Sequence, residues 1–294
     1  IFAVPLVFEN MHQKIWKQAE KSGKADKMRK AIRMIRTISH IDKKIQKRTM
    51  RLFKEVHAGL GGHVRLMVAG AAPINPAVIN DFNAMGITML QGYGMTECSP
   101  IIALNPDWCA RAAAAGLPLP ESEVRIFEPD ENGIGEIICK SQSVMLGYYK
   151  DEEETAKVLR DGWLYTGDYG YFDKDGYLYI TGRKKNVIVT KNGKNIFPEE
   201  VEFYLNSSPY IAEVVVTGET EESSGESIVW ASIFPDRDAI LEQKGTLSDE
   251  EVRSLLKAEI DRLNEQMPFY KKVKRFRIRD TEFDKTTTRK IKRW

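Results

Sequence analysis

Histidine and cysteine are scarce in this sequence, four and three in 294 residues, and their scarcity removes several kinds of chemistry at once. His12, His40, His57 and His63 show neither metal-ligand spacing nor an accompanying acid and nucleophile, so they read as packing or surface residues. Cys98, Cys109 and Cys139 are odd in number and lack paired spacing, which argues against a disulfide framework or a zinc site and suits a reducing cytoplasm. Neither an HxxxD-type acyltransferase box nor a Gly-x-Ser-x-Gly elbow occurs. Apolar runs fall short of the roughly 18 residues that a bilayer span needs, and the N-terminus lacks the basic-then-apolar order of a secretory signal. A net charge of +2 gives no overall drive toward nucleic acid. No internal repeat or low-complexity segment is evident.

What is present is a globular composition, 42% hydrophobic, in a chain long enough for a large unit followed by a smaller one. The charge is uneven, with Lys and Arg concentrated between residues 14 and 54. The opening Ile1 to Val7 reads as a buried strand already under way, and a first residue other than Met leads us to expect an absent preceding segment. From about Glu9 to Val56 the pattern is helical, broken at Ser22-Gly23, with Met28, Ile32, Ile35, Ile38, Ile41 and Ile45 at spacings of three and four. The favoured reading packs this stripe on the core and leaves the basic residues solvated. Peripheral membrane docking through residues 9–56 is compatible with it.

Val64 to Ala69 reads as a strand that meets a Gly70-Ala71-Ala72-Pro73 turn, and Asn75-Pro76 opens a helix through Met85. A second strand, Ile87 to Leu90, feeds Gln91-Gly92-Tyr93-Gly94. This order is that of an α/β layer with a site at the strand ends. Between Glu123 and Ile180 short strands and an Asp173-Lys174-Asp175-Gly176 hairpin turn predict a β-rich subdomain. After Arg183 the pattern becomes α+β. The expected fold is thus α/β: residues 1–184 form part of a large domain with α/β layers and a β-rich subdomain, and residues 185–294 form a small α+β domain.

Several residue types in this order suit nucleotide chemistry. Gly92 and Gly94 permit close backbone approach to a ligand, Thr96 offers a hydroxyl to a phosphate oxygen, and Glu97 offers a hard carboxylate to magnesium. By itself Gly-x-Gly is equally a tight turn after a strand. Asp168, within Tyr165-Thr166-Gly167-Asp168, suits paired ribose hydroxyls, because one carboxylate accepts from both; a surface-turn aspartate is the plain alternative. Lys191 to Glu200 reads as a glycine-bearing turn, a short strand and a helix opened by proline and acidic residues.

Taken together, Tyr93-Gly94-Met95-Thr96-Glu97, Gly162 to Asp168, Gly182-Arg183-Lys184-Lys185-Asn186, Gly193 to Glu200 and Thr288-Arg289-Lys290-Ile291 resemble the motifs of the adenylate-forming, or AMP-binding, superfamily. The resemblance runs over essentially all of the chain. Within the superfamily, the Val4 to Met11 segment and the Thr286 to Arg293 ending are similar to bacterial long-chain acyl-CoA synthetases. The resemblance implies ATP, magnesium, a fatty acid and coenzyme A as ligands, and two steps: acyl-AMP formation, then transfer to the thiol. It implies Thr96 on the adenylate phosphate, Glu97 on magnesium and Asp168 on the ribose with Arg183 beside it. Gly70, Ala71 and Ala72 would flank the adenine together with Gln91, Gly92, Tyr93 and Gly94.

It further implies a domain hinge at Lys185 and a Gly193 loop that lines the thiol tunnel in the second step. The catalytic lysine aligns with Lys290, with Arg289 in place of the usual glycine and Lys292 as the neighbouring candidate. The Ser/Thr/Gly-rich triphosphate loop of the family is not found between Ile1 and Trp294, so the chain alone is expected to be inactive. Rival readings are an aryl-CoA ligase or peptide-synthetase adenylation domain, and a non-catalytic nucleotide-binding module.

Overall fold

The computed structural model describes residues 1–38, 51–191, 193–220, 227–245, 248–286 and 291–293. It divides into two units, Ile1–Thr166 with Gly170–Ile180, and Gly167–Tyr169 with Thr181–Trp294.

The first unit opens differently from expectation. Strand β1 is only Phe2–Ala3, and helix α1 runs from Pro5 to Lys21 with Pro5 in its first turn. Proline's fixed φ and missing N–H suit that position, so an apolar run that looks like a strand becomes a helix start. Phe2 is 75% exposed rather than buried. Gly23, at φ +67, breaks the helical stretch, and α2 follows over Ala25–Ile38. Met28, Ile32 and Ile35 are buried with Ala84 and Met85, so the expected stripe faces the core there. Ile41, Ile45, His40 and the Ile38 side chain lie outside the described residues. A short helix α3, Lys54–Gly59, brings His57 to the Met85 carbonyl at 2.9 Å, a packing role.

Strand β2 (Leu66–Ala69) lies between β1 and β3 (Thr88–Gly94), parallel to both. The crossover is α4, Pro76–Ala84, capped by the Asn75 side chain, which accepts from Ala77 N–H at 2.9 Å. Its inner face buries Val78, Ile79 and Phe82 against Phe8, Met67 and Met89, each apolar side chain contributing about 1.5–3 kcal/mol. Strand β3 continues past Leu90 to Gly94, so the glycine motif is part of the strand and not a turn after it. Antiparallel strands β4 (Ile101–Leu104) and β5 (Leu117–Pro118) complete the sheet in the order β1-β2-β3-β4-β5.

A second sheet has the order β10-β9-β7-β6, from β6 (Glu123–Phe127), β7 (Gly135–Lys140), β9 (Trp163–Phe172) and β10 (Leu178–Arg183). Helix α5 (Glu152–Val158) leads into β8, Leu159–Arg160, which pairs with β9. The expected hairpin turn closes through Asp173, whose Oδ1 accepts from Asp175 and Tyr177 N–H at 2.9 and 3.0 Å.

In the second unit, β11 (Ile188–Val189) and β12 (Asn195–Ile196) form a small hairpin. Helix α6 (Pro198–Leu205) precedes the long antiparallel pair β13 (Ile211–Thr220) and β14 (Ser227–Pro235). Helices α7 (Arg237–Lys244) and α8 (Asp249–Asn264) follow, and β15 (Arg275–Ile278) returns parallel to β14. Ser248 and Glu251 form a capping box at the start of α8. Val201, Val216, Ile233, Leu256 and Ile260 make one apolar core. Both units mix helix and sheet.

Candidate active site

Strand β2 ends beside the middle of the parallel β3, with Ala69 paired to Gln91. The chain leaving β2 therefore places Gly70, Ala71 and Ala72 next to Gln91-Gly92-Tyr93-Gly94, at the carboxyl edge where open α/β sheets bind ligands. Gln91 joins the two segments: its Oε1 accepts from Ile74 N–H at 3.3 Å. Ala71 adopts φ +71, an uncommon conformation for a residue with a Cβ.

Glycine at 94 is required by contact. A Cβ there would lie 2.7 Å from Ile101 Cα, because β3 and β4 converge at an irregular register between Tyr93 and Gly94. The strand then turns into a 3-10 segment, Thr96–Cys98, which leaves Thr96 exposed and buries Cys98. Glu97 is oriented from two sides. Tyr148 donates its hydroxyl to Glu97 Oε1 at 2.8 Å, and Met145 N–H donates to the Glu97 carbonyl at 2.8 Å. Burial and the Glu97 carboxylate push the Tyr148 hydroxyl up to about 12, so it stays a donor near neutral pH. No group of three or more His, Cys, Asp or Glu side chains gathers for a metal among the described residues. A lone carboxylate is nevertheless the kind of protein donor that magnesium uses when nucleotide phosphates supply most of its ligands.

Within the second unit, Asp168 is not a surface-turn residue. It lies in β9 with its side chain 9% exposed, and Arg183 Nε is 2.9 Å from its Oδ1. Such charge-assisted pairing fixes the carboxylate's direction. Arg183 ends β10, and its neighbours explain why two separate motifs occur together. Gly182 packs against Glu199, since a Cβ would meet Glu199 Oε2 at 2.5 Å and displace that carboxylate, and Asn186 Nδ2 donates to Glu199 Oε1 at 2.6 Å. The Gly-Arg-Lys-Lys-Asn and Phe-Pro-Glu-Glu strings are therefore one packed unit.

Lys185 is exposed in the 3-10 segment Lys184–Asn186. Gly193 sits at the tip of the β11–β12 hairpin at φ +71, with open space for 4 Å around the point where a Cβ would stand, and its N–H donates to the Thr190 carbonyl at 2.9 Å. A cleft of about 280 Å³ in this unit is lined by Lys185, Asn186, Thr217, Gly218 and Arg293, and contains neither Asp168 nor Arg183. Lys290 lies outside the described residues, whereas Lys292 is described, its N–H donating to the Asp284 carbonyl at 2.7 Å.

The sequence pattern does not disclose Tyr148 as the partner of Glu97 or Arg293 as the partner of a partly buried acidic pair. Arg293 Nη2 is 2.6 Å from Glu202 Oε2 and 3.5 Å from Glu199 Oε1. Nothing local marks either, because both contacts join residues distant along the chain.

Residues 1–149 match the AMP-binding enzyme family, and residues 185–293 match the AMP-binding enzyme C-terminal domain. A long-chain-fatty-acid–CoA ligase, FadD15 of Mycobacterium bovis, is 30% identical over 82% of this chain and 42% of its own length. A long-chain-fatty-acid–CoA ligase of Yersinia pestis is 38% identical over 56% of this chain and 30% of its own length. The chain thus spans less than half the length of these curated relatives. Among solved structures, o-succinylbenzoate CoA synthetase of Bacillus subtilis with its acyl-adenylate intermediate has a TM-score of 0.64 and 27% identity, covering 81% of this chain and 48% of that one. An anthranilate CoA ligase with anthranoyl-AMP has a TM-score of 0.62 and 26% identity, covering 77% and 43%.

Proposed function

This chain belongs to the AMP-binding enzyme family, and we propose that it works as part of an AMP-forming acyl-CoA synthetase that activates a long-chain fatty acid with ATP. In the first step a substrate carboxylate oxygen attacks the α-phosphorus of ATP, forming acyl-AMP and releasing pyrophosphate. In the second, the coenzyme A thiol attacks the acyl carbonyl, loses its proton and expels AMP. The observation that carries this proposal is the buried Asp168 carboxylate, oriented by Arg183 and itself suited to accept from both ribose hydroxyls.

Roles for the other residues follow from the chemistry. Gly70 to Ala72 and Gln91 to Gly94 would bound the base, Thr96 would donate to the phosphate, and Glu97, aimed by Tyr148, would hold magnesium. Magnesium, when bound, neutralises phosphate charge; solved B. subtilis o-succinylbenzoate CoA synthetase with ATP and magnesium ion supports this ligand set. Lys290 would bridge the substrate carboxylate and α-phosphate as a mobile point charge. The small unit, residues 185–294, would pivot at Lys185 and bring Gly193 forward for thiol transfer. The triphosphate loop is absent from these 294 residues, so the chain by itself does not complete adenylation on this proposal.

The structural relatives favour a second acid class, because they include ligases of anthranilate and o-succinylbenzoate. The test is a panel of palmitate, shorter fatty acids and aryl acids given to the protein of the whole reading frame with ATP, magnesium and coenzyme A. AMP and palmitoyl-CoA appearing together support the proposal; turnover of aryl acids alone replaces the long-chain assignment. Peripheral membrane association rests only on the basic residues of the helical stretch 9–56, and flotation with acidic liposomes tests it. Among the described residues no helix is long and apolar enough to cross a membrane.

A further inference from the structure

Asn105 is 2% exposed in the first unit, just beyond β4, and every polar group of its side chain is used. Its Nδ2 donates to the Gln91 carbonyl at 3.1 Å and to the Ala114 carbonyl at 2.6 Å, while Oδ1 accepts from Arg111 N–H at 2.8 Å. The backbone N–H of Asn105 also donates to the Gln91 carbonyl, at 3.1 Å. The two carbonyls and one N–H fix the amide orientation without ambiguity.

Those partners lie in two segments, β3 at Gln91 and the Arg111–Ala114 turn, whose ends are joined by Ala114 N–H donating to the Arg111 carbonyl at 2.9 Å. Gln91 opens Gln91-Gly92-Tyr93-Gly94 and is tied to the post-β2 loop through Ile74 N–H. Ala114 precedes Gly116, whose φ of +115 and close approach to the Leu104 backbone exclude a side chain. Arg111 is fastened to the hairpin turn by ion pairs with Asp173 and Asp175, its guanidinium 4.1 Å over the Tyr177 ring. One buried amide thus fixes the Gln91 backbone directly and the post-β2 loop through the Gln91 side chain, and Arg111 ties it to the Asp173–Asp175 turn.

We infer that Asn105 is a positioning residue for the nucleotide pocket, holding Gln91–Gly94 and the post-β2 loop in register for ATP without touching it. This rests on the proposal that ATP is the substrate, so turnover by the unmodified protein is measured first; lack of ATP-dependent turnover there sinks that proposal independently. N105D keeps the shape and the acceptor for Arg111 but replaces the donor facing two carbonyls with an oxygen. Asn264 is a matched control, because it is also buried and bonds Val273 at both ends, at 3.0 and 2.9 Å, in the second unit.

With the protein of the whole reading frame, N105D is expected to raise KM for ATP about tenfold or more and to leave KM for the acid and for coenzyme A within about twofold. N264D is expected to lower thermal stability while leaving KM for ATP within about twofold. Should N105D not fold, N105S, which retains one hydroxyl donor, gives the same comparison. A folded variant at position 105 with unchanged KM for ATP, or with all three KM values rising together, overturns the inference.

Discussion

Arg183 Nε stands 2.9 Å from Asp168 Oδ1, and the aspartate is nearly buried while the arginine is half-exposed. The arginine therefore orients the carboxylate from the wet side, presenting a directed acceptor on a rigid strand.

Replacing that acceptor tests its proposed use. Asp168→Asn keeps the volume but halves the capacity to accept from two hydroxyls, and hydrogen bonds to a charged group are worth about 1.5–3 kcal/mol. Initial rates should show KM for ATP rising about tenfold to a hundredfold, with KM for the acid unchanged.

Gly94→Ala addresses the strand rather than the ligand. The new methyl would overlap the Pro100 carbonyl oxygen and sit 2.7 Å from Ile101 Cα, backbone that cannot swing aside. Overpacking typically costs about 1–3 kcal/mol, and direct overlap with backbone puts this change at about 3 kcal/mol or more, so thermal unfolding should move down accordingly. Gly193→Ala meets no atom within 4 Å and is strained only by its φ of +71, so its effect on unfolding should be smaller.

Glu202 predicts an inverse dependence of stability on pH in the second unit. Burial pushes its carboxyl up to about 7, outweighing the opposite pull of Arg293 and of the Val216 N–H. The folded chain then holds a proton that the unfolded chain releases, so this group's stabilisation is complete below about pH 4.5 and lost as pH rises through about 7. The loss is on the order of 3 kcal/mol, and urea unfolding of the second unit at about pH 5 and about pH 8 measures it. Glu202→Gln should flatten the dependence.

Arg293→Ala leaves Glu202 and Glu199 without their shared, partly buried cation. Because the Glu202 carboxyl, already raised to about 7, takes up a proton when the cation is removed, the cost is that of lost hydrogen bonds to a charged group, about 1.5–3 kcal/mol. Urea unfolding at neutral pH should register it, and more weakly at acid pH, where Glu202 is neutral.

Much of the architecture is legible in the sequence because it is local. Asn75-Pro76 announces α4, the 3.6-residue stripe of Met28, Ile32 and Ile35 announces the buried face of α2, and Asp173 to Gly176 announces a hairpin. The opening misleads because an unbroken apolar run has no period, and Pro5 carries the deciding information. For the candidate site, Gly94 and Asp168 are visible as residues, but their environments are not. Pairing of β3 with β4 makes Gly94 obligatory, and placement in β9 buries Asp168. Asn105, Tyr148 and Arg293 act through contacts that reach 14, 51 and 91 residues along the chain, pairings that no local pattern displays.

The central claim is that these motifs serve acid-dependent adenylation with a lysine from the tail. Its most direct test is pyrophosphate exchange into ATP, driven by a carboxylic acid, in the protein of the whole reading frame and in its Lys290→Ala variant. The account predicts acid-dependent exchange that falls about a hundredfold to a thousandfold in the variant, equivalent to about 3–4 kcal/mol, while thioester formation from preformed acyl-AMP persists. No exchange with any acid, or exchange undiminished in Lys290→Ala, contradicts it.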